Sequence, residues 1–183
     1  MRKIMLVLFV LFLMLSFCSC EKTSSIAETG LNTNNNEEFF TEESVFTIDG
    51  QNVSAETYNL HIPEDYTAYG NGNSLKIESS EENKLTITVE EHIYSNDGFE
   101  QYMSETLSEL QLMGANISAP ETVTIGSFEM KRVLLTFSPV QSLEYFVDLE
   151  DKSILISVIK SDGEISKEIA DEMVNQIGLS VNE

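Results

Sequence analysis

The side chains best suited to bind a metal ion or to act as nucleophiles are few in this sequence: two histidines, His61 and His92, and two cysteines, Cys18 and Cys20. Each histidine is predicted to point to the polar face of a strand, because apolar and polar residues alternate around it. Two imidazoles without carboxylate partners are too few ligands for a zinc site. We therefore interpret both histidines as solvated side chains and predict no catalytic residue, no metal site and no cofactor.

Two oxygen-rich turns are further candidates for a ligand site. One contains Asn96 and Asp97, and the other contains Asp148, Glu150 and Asp151. Their oxygens suit Ca²⁺, but neither turn has the Asp-x-Asp-x-Asp-Gly spacing of an EF-hand loop. Helix capping and hairpin turning are the favoured roles, and calcium binding stays open. The sequence also lacks Gly-x-Ser-x-Gly, phosphate-loop and His-Glu-x-x-His motifs.

The N-terminal segment is typical of a secretory signal peptide. Arg2 and Lys3 precede an unbroken apolar run at residues 4–15, which is short for a membrane span of about 20 residues. The basic end stays in the cytoplasm, so the rest of the chain is predicted to be exported.

The end of this segment resembles the lipobox of bacterial lipoproteins. Ser19 is small and directly precedes Cys20, whereas bulky Phe17 precedes Cys18. Cys20 is therefore the predicted lipidation site, which would hold the protein on the extracytoplasmic face of the cell membrane. A Cys18–Cys20 disulfide and ordinary secretory cleavage are the alternatives.

The composition restricts the partners of the protein. The net charge is −21, and removal of Arg2 and Lys3 with the predicted signal peptide leaves 8 basic and 31 acidic residues, a net charge of −23. Such a chain repels nucleic acid and anionic headgroups. We expect no nucleic-acid partner, and instead a cationic or neutral ligand or a membrane-protein complex. Alternatively, the charge serves only solubility.

The predicted domains are a signal peptide at 1–19, the lipidated cysteine with a disordered acidic tether at 20–44, and a globular domain at 45–183. The tether is rich in Ser, Thr, Asn and Glu and has too little apolar surface to fold.

In the domain, strands are predicted near residues 58–62, 75–78, 85–90, 121–125, 128–137, 143–149 and 153–159. The apolar run at 154–159 is nearly continuous, which predicts a strand buried on both faces in the middle of the sheet. Apolar stripes predict helices at 99–113 and 165–177, with N-caps in the segments at 95–98 and 161–164. The stripe of the second helix contains Ile165, Ile169, Ala170, Met173, Val174 and Ile177. This order favours an α+β fold, an antiparallel sheet covered by helices.

The order of elements and the phrase Tyr58-Asn-Leu-His-Ile-Pro-Glu-Asp-Tyr66 resemble the PsbP-like family, which includes bacterial lipoproteins. The resemblance spans about residues 46–180 and departs from the family where Tyr66 stands in place of the common Trp. It implies an αβα sandwich with a central antiparallel sheet and two main amphipathic helices, and an accessory or binding role. It transfers no catalytic residue to this chain.

Together these observations favour a membrane-anchored, non-catalytic binding or assembly module. The alternative is an extracytoplasmic hydrolase or metal-dependent enzyme, which a cleft combining His, Asp and Ser side chains would favour.

Overall fold

The computed structural model describes residues 46–79, 85–94, 98–149 and 152–182. The predicted signal peptide, Cys20 and the tether lie outside the described residues, as do Asn96, Asp97, Glu150 and Asp151. Every element, contact and count named below lies within the described residues.

Strands dominate the domain: 54% of the described residues are in strands and 19% are in helices. The strands are β1 (Phe46–Asp49), β2 (Asn52–Ala55), β3 (Tyr58–His61), β4 (Tyr66–Asn71), β5 (Ser74–Ser79), β6 (Thr86–Ile93), β7 (Asn116–Ile117), β8 (Glu121–Ile125), β9 (Phe128–Phe137), β10 (Val140–Asp148), β11 (Lys152–Lys160) and β12 (Ser180–Val181). The helices are α1 (Phe99–Leu112) and α2 (Lys167–Gln176).

The strands form two antiparallel sheets. The small sheet has the order β1-β2-β3-β12, and the large sheet has the order β4-β5-β6-β11-β10-β9-β7, with β8 also paired to β9. Strand β11 lies in the middle of the large sheet, as its apolar run at 154–159 predicts. Ile154, Ile156 and Val158 on this strand are fully buried.

The two faces of the large sheet are covered by different elements. Its inner face, which carries Leu143, Tyr145 and Ile156, shares one apolar core with the small sheet and α2. Its outer face, which carries Val133 and Phe146, packs against α1. The large sheet is thus the middle layer of the domain.

The predicted αβα sandwich with one central sheet and two main helices is wrong. The structure has two sheets, and the small sheet shares the inner core with α2. Its strands have two to four residues, and its buried anchors include Phe46, Val53, Tyr58 and Leu60. Strand β3 was predicted, but the alternation in β1, β2 and β12 is too short to give a sequence signal. These strands are stabilised by pairing within the sheet and by packing on distant parts of the chain.

The predicted helices are present; the predicted cap of the first, at 95–97, lies outside the described residues, and the predicted cap of the second is wrong. Helix α1 begins after Gly98 with no side-chain capping bond. Helix α2 is capped by Ser166, whose hydroxyl accepts a 3.4 Å hydrogen bond from the Ile169 amide, and not by the segment at 161–164. Neither described helix has the length and apolar character needed to cross a membrane.

Candidate functional site

A groove of about 530 Å³ lies where the turn before β4 meets α2. Its apolar lining residues are Pro63, Tyr66, Leu85, Ile165, Ile169 and Met173. Its polar lining residues are Glu64, Asp65, Lys160, Ser166 and Gln176. A concave surface of this size with mostly apolar walls and a few polar groups has the composition of a binding site.

Helix α2 forms one wall of the groove. Ala170 and Val174 are buried in the core, whereas Ile169 is 56% exposed although the helical stripe predicts it to be buried. Ile169 and Met173 are four residues apart, so they lie on the same face of the helix and both line the groove. An exposed isoleucine at this position is available to an apolar group of a ligand or partner.

A network of charged side chains holds α2 against the large sheet. The guanidinium of Arg132 on β9 donates to Asp171 on α2 and, at 2.7 Å, to Glu121 on β8. The hydroxyl of Tyr145 on β10 donates to Asp171 at 2.7 Å. Lys167 on α2 donates to Glu121 at 2.7 Å. Three strands thereby fix the position of the helix that forms the groove wall.

The pKa values of Glu121 and Arg132 keep both of these groups charged at neutral pH. Hydrogen bonds from Arg132 and then Lys167 lower the pKa of Glu121 to about 2. Burial alone would lower the pKa of Arg132, but its bonds to Asp171 and Glu121 raise it above the ordinary value. Both groups bind their charged partners on neighbouring elements, so the network has a structural role.

The outer face carries most of the buried polar side chains of the described domain. The buried polar or charged residues are Thr88, Arg132, Ser142, Glu144 and Ser153. All of them except Arg132 lie on the outer face, as the strand register places them. Polar side chains at buried sheet positions are unusual and call for a physical account.

Glu144 is the centre of this outer-face polar cluster. It is 6% exposed and accepts a 2.7 Å hydrogen bond from the Ser142 hydroxyl and another from Ser157. Burial raises the pKa of Glu144 to about 7, the two hydroxyls oppose that rise, and the charge of Glu90 adds to it. This carboxyl is therefore about half protonated at neutral pH.

A carboxyl with a pKa near 7 has the right acidity for general acid–base catalysis. Glu144, however, is almost completely covered, and its two described hydrogen-bond partners are hydroxyls of the same sheet. Such a group is positioned to stabilise a buried network and not to meet a substrate in the present conformation.

The two histidines lie on different sheets and have different surroundings. His61 on β3 is exposed, with its Nδ1 atom 3.4 Å from the side-chain oxygen of Asn52. His92 on β6 is half-buried, with its Nε2 atom 3.1 Å from Glu90 and its ring 5.6 Å from that of Tyr102. The prediction of a solvated side chain is right for His61 and wrong for His92.

The structure brings no metal site together in the part of the chain that it describes, where no three His, Cys, Asp or Glu side chains are placed to share an ion. Of the two acidic turns, only Asp148 is described, and it accepts a hydrogen bond from the hydroxyl of Tyr94. The other residues of those turns lie outside the described ranges, so calcium binding there stays a prediction.

Sequence reasoning missed both the groove and Glu144. The groove is lined by residues from 63–66 and from 160–176, which are far apart in the sequence, so no local sequence pattern predicts it. Glu144 left no distinctive signal, because a carboxylate between apolar Leu143 and Tyr145 also fits the exposed face of an alternating strand.

No protein-family model matches this chain, and no curated protein matches it. A crystal structure from Bacteroides thetaiotaomicron VPI-5482 at 1.50 Å resolution aligns with 69% of this chain and 45% of its own, at 13% identity and a TM-score of 0.49. The chain therefore spans less than half the length of that protein.

Proposed function

We propose that this protein is a non-catalytic binding module, held on the extracytoplasmic face of the membrane by a lipid on Cys20, and that the groove beside α2 binds a segment of a partner protein. Membership in the PsbP-like family stays a prediction, and the proposal does not depend on it.

The apolar groove with a carboxylate rim is the observation that carries this proposal. Ile169 and Met173 supply apolar surface, and the exposed carboxylates of Glu64 and Asp65 stand beside it. Burial of apolar side chains supplies affinity, whereas charges at a rim steer association and select partners. An apolar segment that carries a basic residue fits both features.

The alternative, an extracytoplasmic enzyme, is supported by one observation, the raised pKa of Glu144. The burial of that side chain and its distance in the fold from the groove, on the opposite face of the large sheet, favour binding instead. Turnover of a hydrolase substrate that is lost in a folded Glu144→Gln variant would favour the enzyme.

Site-specific photo-crosslinking in native membranes tests the binding role. A photoreactive residue in place of Ile169 should give a defined adduct with a partner protein. The same residue in place of Leu112, which is 88% exposed on α1, is the matched control and should give none. Equal adducts at both positions would mean nonspecific collision and would contradict the proposal.

Reversal of the rim charge provides a second test. Glu64→Lys should reduce the adduct formed at position 169, because the basic partner would meet a repulsive charge. Glu105→Lys on α1 changes the net charge of the protein by the same amount at an exposed site away from the groove and should leave the adduct unchanged. An equal loss in both variants would assign the effect to net charge alone.

A further inference from the structure

Strand β4 is a terminal strand of the large sheet: among the described strands, only β5 is hydrogen-bonded to it. Its sequence, Tyr-Thr-Ala-Tyr-Gly-Asn, contains neither proline nor a charged residue. Sheet edges in soluble proteins are usually protected by lysine, proline, bulges or very short strands. Six residues without such protection form an edge that can accept another strand.

The hairpin geometry identifies the backbone groups that face outward from this edge. Asn71 pairs with Ser74 across a two-residue turn, so these two residues form a hydrogen-bonded pair. Pairing then alternates along the ladder, which leaves Ala68 and Gly70 at non-hydrogen-bonded positions. Their N–H and C=O groups therefore point away from β5, toward the free side of the sheet.

The edge is continuous with the groove, because Tyr66 is the first residue of β4 and also lines the groove. Farther along the edge, Tyr69 is 47% exposed and can pair with an apolar side chain on an added strand. Glu64 and Asp65 stand where the strand would leave the edge and enter the groove.

Building on the proposed function, we propose that the partner segment is an extended basic peptide that adds to the large sheet as a strand alongside β4 and places an apolar side chain in the groove. Backbone hydrogen bonds to Ala68 and Gly70 would supply affinity independent of sequence, and the groove and its rim would supply specificity.

Charge distinguishes this occupant from a second copy of the protein, which could also pair edge to edge. The chain carries a net charge of −21, so two copies repel each other, whereas a basic peptide is attracted. The Lys76 ammonium on β5 is paired with Glu78. Lys160 is the one cation among the described residues that line the groove, against the two carboxylates of Glu64 and Asp65.

Binding of a synthetic peptide to the full chain in detergent micelles tests the inference. The probe alternates valine and lysine, and its two controls are the same peptide with glutamate for lysine and the same peptide N-methylated at every second residue. We expect the lysine peptide to bind, to slow hydrogen exchange at Ala68 and Gly70, and to weaken as salt rises. The two controls should bind at least about tenfold more weakly, through lost attraction or lost hydrogen bonds. Failure of the lysine peptide to bind would overturn the inference.

Two variants at one position separate a backbone effect from a packing effect. Ala68→Pro removes an outward-facing N–H, a change that an edge strand tolerates, whereas Ala68→Val keeps it. Peptide binding should be lost in the first variant and retained in the second, with circular dichroism showing both to be folded. Equal binding by both folded variants would overturn strand addition. If Ala68→Pro fails to fold, the native chain provides the test. Unchanged hydrogen exchange at the Ala68 and Gly70 amides when the peptide binds would then overturn strand addition.

The two proposals can fail separately. If a partner crosslinks to position 169 while the amides of Ala68 and Gly70 stay unprotected from hydrogen exchange, the groove is still a binding site. Strand addition alongside β4 is then wrong. Equal crosslinking at positions 169 and 112 would overturn the groove itself.

Discussion

The hydroxyl of Tyr145 donates a 2.7 Å hydrogen bond to one carboxylate oxygen of Asp171, while Arg132 occupies the other oxygen. Tyr145 belongs to the large sheet and Asp171 to the helix that forms a wall of the groove. One carboxylate therefore connects two layers of the domain, and its loss should affect both stability and binding.

Asp171→Ala should lower the free energy of unfolding by about 2 kcal/mol, because it removes two hydrogen bonds to a charged group and leaves the Arg132 guanidinium without that partner. Urea denaturation measures the change. Glu172→Ala, one position away at an exposed site, is the control and should change stability by less than about 0.5 kcal/mol. Similar losses in both variants would mean that the network does not hold α2.

Glu144 should make the domain less stable as the pH rises from about 4.5 to about 7. Burial raises its pKa in the folded state from 4.5 to about 7, so the folded state binds more protons than the unfolded state within that window. The associated loss is about 3 kcal/mol. Glu144→Gln should flatten this part of the curve, as urea denaturation at a series of pH values would show. An unchanged slope in the variant would contradict the assignment.

Glu121 should change the stability of the domain with pH in the opposite direction to Glu144. Its pKa is lowered to about 2 by Arg132 and Lys167, so its stabilising effect is present above about pH 4.5 and is lost as the pH falls toward 2. Glu121→Gln should therefore reduce the slope of stability only on the acid side. If Glu121→Gln also changed the slope of unfolding free energy against pH between pH 4.5 and 7, Glu121 and Glu144 would not titrate as separate groups.

Ile156→Ala should destabilise the domain by about 3 kcal/mol, since it removes apolar atoms from a fully buried position and leaves a cavity. Leu112→Ala, at an 88% exposed position, should cost less than about 0.5 kcal/mol. Thermal unfolding measures both variants. A near-normal melting temperature for Ile156→Ala would contradict the central position of β11.

Cys20→Ala should release the protein from the membrane fraction or leave an uncleaved precursor, because it removes the predicted acyl acceptor. Cys18→Ala should have little effect. Fractionation and immunoblotting measure both outcomes. Normal processing and membrane retention of Cys20→Ala would contradict the lipid anchor.

Most long elements of the fold were predictable from local patterns. The apolar run around Ile156 identified a central strand, and the stripe containing Ala170 and Val174 identified α2, because each pattern repeats over at least six residues. In the small sheet, β3 was predicted from the alternation at 58–62, whereas β1, β2 and β12 were not predictable in this way. A segment such as Phe46–Asp49 buries only Phe46, so its strand conformation depends on neighbours that the sequence does not place.

The sequence by itself determined the predicted export signal, the acidic charge and the positions of the long strands and helices, since charge is additive and periodicity is a local property of the chain. The tertiary structure decided that two sheets share the core, that Ile169 faces a groove and that Glu144 is buried. These features arise from contacts between residues far apart in the chain. Exposure and pKa depend on which surfaces those contacts cover, and residue type alone does not fix them.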